Sequence, residues 1–362
     1  MPHLENIRLE SKPSGPLHSH WLEFPRDARS SFASFAPELP PGTLECHGMR
    51  RIWRVGRAMF FRLSPARRSI LVLALALQLS SLFAFSDSLQ WIATYRGVLS
   101  FACVLAVLAV ELADRVALKR DLELAREIQS WLVPKTPPHY EGLDIAFSTR
   151  PANTVAGDYY DVIPLPATDD AHPPVLFVVA DVAGKGIPAG LLTACFRSCL
   201  HTLADTTADL RDLARRLHDS CCGESGGGRH FTTAVLAKYD SPARSLEYVN
   251  AGHNPPLLRS ASGSITQLDA TGMPFGMFRP AAYEARRVLV GPGDLLLIYT
   301  DGIVEAVNHA GDEYGLDRLR SFLRETQAPS AEFQRRLFDS ISAFTGGAPQ
   351  QDDITALVVQ FA

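Results

Sequence analysis

The chain is 362 residues long, 20% of them charged, and carries a formal net charge of −4. That length suits two domains, or one large domain with an appendage, and so small a charge gives no basic field to draw nucleic acid. The six cysteines (Cys46, Cys103, Cys195, Cys199, Cys221 and Cys222) form no CxxC pair and no zinc-spaced cluster with histidine. This usage suits a reducing, cytosolic setting for the C-terminal part.

Residues 1–49 are rich in Pro, Ser and His without periodicity and read as a disordered tail. The first apolar run begins too late for a secretory signal. From Arg50 to Arg68 there are seven arginines and no acidic residue. Ile70–Phe85 is then almost continuously apolar, a polar patch carries Ser86, Asp87, Ser88 and Gln90, and Val98–Val110 is apolar again. Each run falls a little short of the ~20 residues that span a bilayer, but flanking residues can extend it. Arginines before the first run, with Arg115, Lys119 and Arg120 after the second, put both ends on the cytoplasmic side. Residues 50–110 thus read as a membrane hairpin through 70–110, against the alternative of a buried hairpin in a soluble sensor domain.

Residues 111–135 read as a linker helix. Leu118, Leu122, Ala125, Gln129 and Leu132 fall on one heptad-like seam, which suits either a homodimer through 111–132 or packing on the next domain. Pro134 and Pro137-Pro138 end the segment. From about 140 to 362 the texture changes to short apolar strands between Gly, Pro and Asp turns. Strands are expected at Leu143–Thr149, Tyr159–Pro164, Val175–Ala180, Thr232–Tyr239, Ser245–Asn250, Pro256–Ser260, Ala285–Leu289, Asp294–Tyr299 and Ile354–Gln360. Helices are expected at Ala189–Ala204, Leu210–Cys221, Leu316–Glu325 and Ala331–Phe344. Strands in runs with grouped helices indicate an α+β layered domain.

Four stretches place aspartate beside a turn at the end of an apolar run: Ala156-Gly157-Asp158-Tyr159-Tyr160-Asp161, Val179-Ala180-Asp181, Tyr299-Thr300-Asp301-Gly302 and Gln351-Asp352-Asp353-Ile354-Thr355. One such aspartate is usually a turn residue. Four in the same context point to a site for hard divalent cations, which take oxygen ligands. Two such ions ~3.5–4 Å apart can orient a hydroxide and clamp a phosphoryl group, and no Ser/His/Asp or Cys nucleophile arrangement competes with that reading. Gly184-Lys185-Gly186 is not a Walker loop, since it lacks the GxxxxGK[ST] spacing. The loop Asn250–Pro256 holds His253 and reads as a tight hydrogen-bonded turn, more structural than catalytic.

The stretch from Ala125 to Ala362 resembles the SpoIIE/RsbU family of bacterial PP2C-type (PPM) serine/threonine phosphatases. The resemblance rests on Arg126-Glu127-Ile128-Gln129 with Leu132-Val133-Pro134, Arg150-Pro151-Ala152, Val155–Asp161, Ala180–Ala189, Tyr248–Pro256, Pro274–Met277, Gly291–Asp294, Tyr299–Ala306 and Asp352–Thr355. It implies a sandwich of two antiparallel β-sheets flanked by helices, with two Mn²⁺ or Mg²⁺ ions at one end. Asp158 and Asp181 would be central ligands, assisted by the Val182 backbone carbonyl. Asp301 would hold one metal, and Asp352 would be the last ligand, with Asp353 as the alternative one residue on. These aspartates would act through metal-activated water on a phosphoserine or phosphothreonine. The family implies as substrate a phosphorylated STAS-domain anti-sigma-factor antagonist, and control from a membrane or sensor region through the linker helix. The phosphatase domain would then face the cytoplasm from the inner membrane.

The chain departs from the family pattern at three points. Ala156 stands where many relatives have glycine, and its methyl restricts a positive φ. Ala183 replaces the histidine of eukaryotic relatives, and no phosphate-binding arginine is evident. A catalytically inactive phosphatase-like scaffold or sensor, or an enzyme for a small phosphorylated metabolite, are the other readings.

Overall fold

The computed structural model describes residues 57, 60, 61, 63–81, 90–166, 173–224 and 230–362. The expected tail at 1–49, most of the arginine cluster, the polar patch around 86–88 and residues 225–228 lie outside these. The chain divides into two compact units, one ending at Val116 and the other spanning Ala117–Ala362.

In the first unit, α1 (Pro65–Ser81) pairs antiparallel with the first part of α2 (Gln90–Leu132). The small residues Ala74 and Ser100 let the two backbones approach, and Ser100 Oγ donates to the Ala74 carbonyl at 2.7 Å. At the base, Arg67 bonds Glu111 at 2.9 Å and also reaches Asp114. The outward face carries exposed Leu73, Leu75, Leu79, Phe101, Leu105 and Leu108. Among the described residues one helix, Thr94–Leu132, is long and apolar enough to cross a membrane by length and composition. The second apolar run and the linker were expected as separate elements. They form one unbroken helix, because no Gly or Pro interrupts the chain between Val98 and Leu132.

The second unit begins in α2 and, among the described residues, continues as ten strands and five further helices. Strands β1 (Leu143–Arg150), β10 (Ile354–Phe361), β9 (Leu295–Tyr299), β6 (Leu257–Arg259) and β7 (Ile265–Gln267) form one sheet in that order. Strands β2 (Asp158–Pro164), β3 (Val175–Val182), β4 (Thr232–Asp240), β5 (Ser245–Ala251) and β8 (Arg286–Leu289) form the other. Every pairing is antiparallel.

The central strands of both sheets are buried on two faces, so they read as continuous apolar runs, and strand parity decides which layer each residue joins. Tyr160, Val162, Phe177, Val179, Ile298, Leu357 and Val359 fill the space between the sheets. The opposite parity of β2 and β3 (Tyr159, Leu176, Val178) packs on α3 (Ile187–Ala204) and α4 (Leu210–Glu224) through Phe196, Leu200, Leu213 and Leu217. On the other side Leu297, Tyr299 and Val358 pack on α6 (Gly315–Glu325) and α7 (Ser330–Thr345) through Leu319, Leu323, Phe333 and Leu337. The layers therefore run helices, sheet, sheet, helices. Full burial contributes about 1.5–3 kcal/mol per large apolar side chain.

The expected strands and helices all occur, within two residues at most ends. The four-residue helix α5 (Asp301–Val304) and strand β7 were not anticipated. Both are too short to develop a hydrophobic period. The linker seam also differs. Leu122, Ala125, Gln129 and Leu132 are half-buried and Leu118 is exposed, while Leu124, Ile128 and Trp131 present the outward apolar stripe.

Gly302 governs how β9 turns into α5. A Cβ there would sit 2.0 Å from the Asp353 carbonyl oxygen and 3.3 Å from that of Asp352, both rigid backbone. Only glycine lets the start of α5 lie against the 352–353 peptide. Replacing it, Gly302→Ala, forces apart the two strand ends that carry Asp301 and Asp352. A cost of about 1–3 kcal/mol follows from overpacking, read as a fall of roughly 2–10 °C in the thermal midpoint of the full chain. An unchanged midpoint would contradict the close approach.

Candidate metal centre

Strand parity and register bring the aspartates together. Asp158 and Asp181 are direct partners in the β2–β3 ladder. Both share the parity of residues that point between the sheets, so their carboxylates enter the gap at one end of the sandwich. Asp301 follows β9 and Asp352 precedes β10, the strand that pairs with it. In an antiparallel sheet those two ends lie side by side. Asp161, three residues from Asp158, points the other way. Its carboxylate accepts from the Tyr159 hydroxyl (2.5 Å), from His201 Nε2 (2.8 Å) and from the Val162 N–H. Burial alone would raise its pKa, but these donors hold it below the ordinary carboxylate range. Asp161 thus ties β2 to α3 and takes no part in the cluster.

The clustered carboxylates oppose one another. Burial and the charge of Asp181 push Asp158 well above the ordinary range. Asp181 is raised to about 7 by burial, then by Asp301, Asp352 and Asp353, with Lys185 as the opposing charge. Asp301 is raised by burial and by Asp352, against the Gly302 N–H and Lys185. The crowding extends to Glu305, raised by burial and then by Asp301. These groups interact over distance: among the described residues no three His, Cys, Asp or Glu side chains already meet tightly enough to hold a metal ion.

The donor set nevertheless has the chemistry that a hard divalent cation requires. Carboxylate oxygens come from four strand ends, and Val182, whose carbonyl lies among them, belongs to the same ladder. Gly157 leaves open the space beside them, since a Cβ there would sit 3.1 Å from the Val182 carbonyl and 3.3 Å from Asp181 Oδ1. The residues present therefore fit Mn²⁺ or Mg²⁺.

The neighbouring aspartates 352 and 353 have different partners. Asp353 is buried, and its two oxygens accept from the N–H groups of Ala152 and Gly157, each at 2.7 Å. Asp352 is half-exposed; its Oδ2 faces Lys185 Nζ at 3.1 Å and its Oδ1 accepts the Asp353 N–H. Thr300 joins the sheets across the site by donating to Asp158 Oδ2 at 2.8 Å while accepting from the Thr355 N–H. His253 is fully enclosed, its Nε2 on the Tyr299 carbonyl (3.1 Å) and its Nδ1 on the Thr233 hydroxyl (2.9 Å). Burial lowers its pKa to about 4 and keeps it neutral. It braces β9 against β4 and does not open onto the cluster.

Three residues of the site escaped sequence reasoning. Gln129 of α2 brackets Ala156, its Nε2 donating to the carbonyl (2.6 Å) and its Oε1 accepting the N–H (3.0 Å). Ala156 has no positive φ, so its methyl is tolerated and the concern raised by the missing glycine does not apply. Arg150 lines a cavity of about 380 Å³ beside Asp352, together with Lys185, Glu305, Ser342 and Gln350. Its signal was present in the Arg150-Pro151-Ala152 motif. Thr300 had no signal beyond its place next to Asp301.

Comparison with known proteins bears on this geometry. A family model described as Stage II sporulation protein E (SpoIIE) matches residues 172–362, more than half of the chain. Protein IcfG of Synechocystis is 26% identical over 279 residues, which are 70% of this chain and 43% of that protein. Phosphoserine phosphatase RsbU of Bacillus subtilis is 25% identical over 67% of this chain and 70% of its own length. The chain therefore spans less than half of the first of these relatives. Among solved structures, the SiaA-PP2C domain of Pseudomonas aeruginosa superposes with a TM-score of 0.60 at 22% identity, over 69% of this chain and 99% of that one. The PP2C phosphatase domain of Bacillus subtilis SpoIIE, with a fragment of its regulatory domain, gives 0.53 at 18% identity, over 60% and 61%. With a PP2C-like sandwich in place and the family match covering most of it, the chain belongs to the SpoIIE family.

Proposed function

We propose that this chain is a metal-dependent protein phosphatase that hydrolyses phosphoserine or phosphothreonine on a regulatory partner, a phosphorylated STAS-domain anti-sigma-factor antagonist. The observation that carries the reading is the convergence of Asp158, Asp181, Asp301 and Asp352 at one end of the sandwich, where each raises or feels the charge of the others. The relatives RsbU and RsbP are named phosphoserine phosphatases, which supports the substrate class.

In this reading Asp158, Asp181, the Val182 carbonyl, Asp301 and Asp352 hold two Mn²⁺ or Mg²⁺ ions. The ions would supply a water acidic enough to attack at neutral pH and a clamp for the phosphoryl oxygens. The remaining work falls to the chain. Thr300 and Thr355 fix the orientation of Asp158, and Asp353, with both oxygens committed to backbone N–H groups, holds the 352–353 turn against Gly157. That commitment favours Asp352 over Asp353 as the ligand. The cavity beside Asp352 is lined by two cations, Arg150 and Lys185, which it offers to an incoming phosphoprotein. Gln129 supports control through the linker helix, since it fixes the peptide that precedes Gly157-Asp158. The apolar hairpin anchors the chain in the cytoplasmic membrane, with the phosphatase unit on the cytoplasmic side. A homodimer through 111–132 would use Leu124, Ile128 and Trp131, because the seam residue Gln129 is engaged with Ala156.

Three outcomes test this reading. With Mn²⁺ present, the full-length chain releases phosphate from a phosphorylated STAS-domain protein. Asp181→Asn and Asp301→Asn lower the rate by more than the roughly 10–100-fold typical of outer-shell partners, and equal rates would sink the ligand assignment. These variants also unfold at least as high as the wild type without metal, since each removes a repelling charge, and they lose the stabilisation that Mn²⁺ gives the wild type.

Gln129→Ala leaves the Ala156 peptide without its paired partners. It lowers phosphatase activity about tenfold and weakens Mn²⁺ binding, measured by calorimetry; wild-type values for both would remove the linker helix from the site. For the membrane reading, the full-length chain sediments with membranes and resists extraction by alkaline carbonate. Recovery in the soluble fraction without detergent would overturn it.

A further inference from the structure

The charge of Lys185 opposes the carboxylates at both Asp181 and Asp301. Its Nζ donates to Asp352 Oδ2 at 3.1 Å and to the Gln351 carbonyl at 3.0 Å. The side chain is 59% exposed and that of Asp352 47%, so no packing forces the pair together. The turn that presents it is also permissive. Gly184 and Gly186 flank the lysine with φ of 125° and 74°, and a Cβ at Gly186 would meet nothing within 4 Å. An ammonium group on a four-carbon stem, carried between two glycines, is drawn onto Oδ2 of the half-exposed Asp352.

We propose that Lys185 is the resident counter-cation of the carboxylate cluster and competes with the divalent cation for Asp352. The inference rests on the metal-centre reading above and gives Lys185 a second role beside the one it has toward an incoming phosphoprotein. A divalent ion binding Asp352 directly takes an oxygen at about 2.0–2.2 Å in a demanding geometry and repels an adjacent ammonium. The Lys185–Asp352 pair and inner-sphere binding at Asp352 therefore exclude each other on that oxygen. Breaking the pair is part of the cost of loading the site, and the lysine sets the affinity of the step in which Asp352 takes part. Electrostatics also fixes the sign. Removing the positive charge leaves the cluster more negative and the cation better bound.

The test is a Mn²⁺ titration of the full-length chain in detergent, by calorimetry and by the EPR signal of free Mn²⁺, with no phosphorylated substrate present. Asp352→Asn identifies the binding step that involves Asp352. At low ionic strength Lys185→Met, which keeps the stem and removes the charge, tightens that step about 3- to 10-fold, the scale of a part-exposed ion pair plus its longer-range neighbours. In 1 M salt, where the screening length is about 3 Å, the difference shrinks to less than about twofold. Lys185→Arg keeps the charge and titrates within about twofold of the wild type. Binding by Lys185→Met that is equal to or weaker than wild type, at an unchanged thermal midpoint, overturns the proposal and leaves the metal centre standing. A Lys185→Arg variant that behaves like Lys185→Met overturns it too, since charge would not be the operative property. A wild-type chain that binds no Mn²⁺ removes the metal-centre reading and this proposal with it.

Discussion

Mutual repulsion among carboxylates at one end of the sandwich is the constraint that the rest of the phosphatase unit answers. Asp158 is almost fully enclosed and faces Asp181 across a β-ladder, a placement that desolvation and like charge both oppose. A fold would not keep such a pair without strong positional control, because either side chain gains by turning toward water. The control comes from neutral donors. The Thr300 hydroxyl and the N–H groups of Ala152 and Gly157 fix Asp158 and Asp353 without cancelling the negative potential of the cluster. An arginine in their place would hold the carboxylates equally well and would remove the field that draws a divalent cation.

The two sheets contribute unequally to that control. In the sheet of β2 and β3 the carboxylates are strand residues, fixed by register. In the sheet of β9 and β10 they lie just outside the strands, in a short helix and a turn, where a backbone has more freedom. Close packing takes up the freedom. Gly302 admits the 352–353 carbonyls at a distance that no side chain permits, and His253 ties the Tyr299 carbonyl to Thr233 of the opposite sheet. The histidine is neutral at physiological pH because burial depresses its pKa to about 4. It therefore braces the site without adding a positive charge to it, as the threonine and backbone donors do.

Most of this was legible in the chain itself, for identifiable reasons. Strands buried on both faces appear as apolar runs with sharp Gly, Pro and Asp boundaries, so β3 and β10 were placed within two residues. The clustered aspartates were visible because each interrupts such a run at its end. Elements shorter than one hydrophobic period, α5 and β7, left no pattern. Neither did partners chosen by three-dimensional approach, such as Thr300 to Asp158, since a threonine beside an aspartate has many ordinary explanations. The linker seam left two alternatives open for a related reason. A heptad pattern reports that a face is covered but not by what, and that seam includes Gln129, whose amide is bonded to Ala156.

That amide gives the linker helix a discrete hold on the site. Gln129 uses its donor and its acceptor on the carbonyl and the N–H of a single residue, Ala156, one before Gly157 and two before Asp158. Both bonds depend on one orientation of the α2 surface, and a helix turns about 100° per residue. A rotation or slip of one position would not weaken the pair gradually: it would withdraw both partners at once and leave the N–H and carbonyl of a buried residue unsatisfied, at about 1–3 kcal/mol for each group. Small distortions of α2 are resisted up to that cost, and beyond it the Gly157–Asp158 segment loses its brace altogether. A helix joined to the domain in this way braces it all or none: the side-chain amide is the hold, and the Gly157–Asp158 segment is the part it holds.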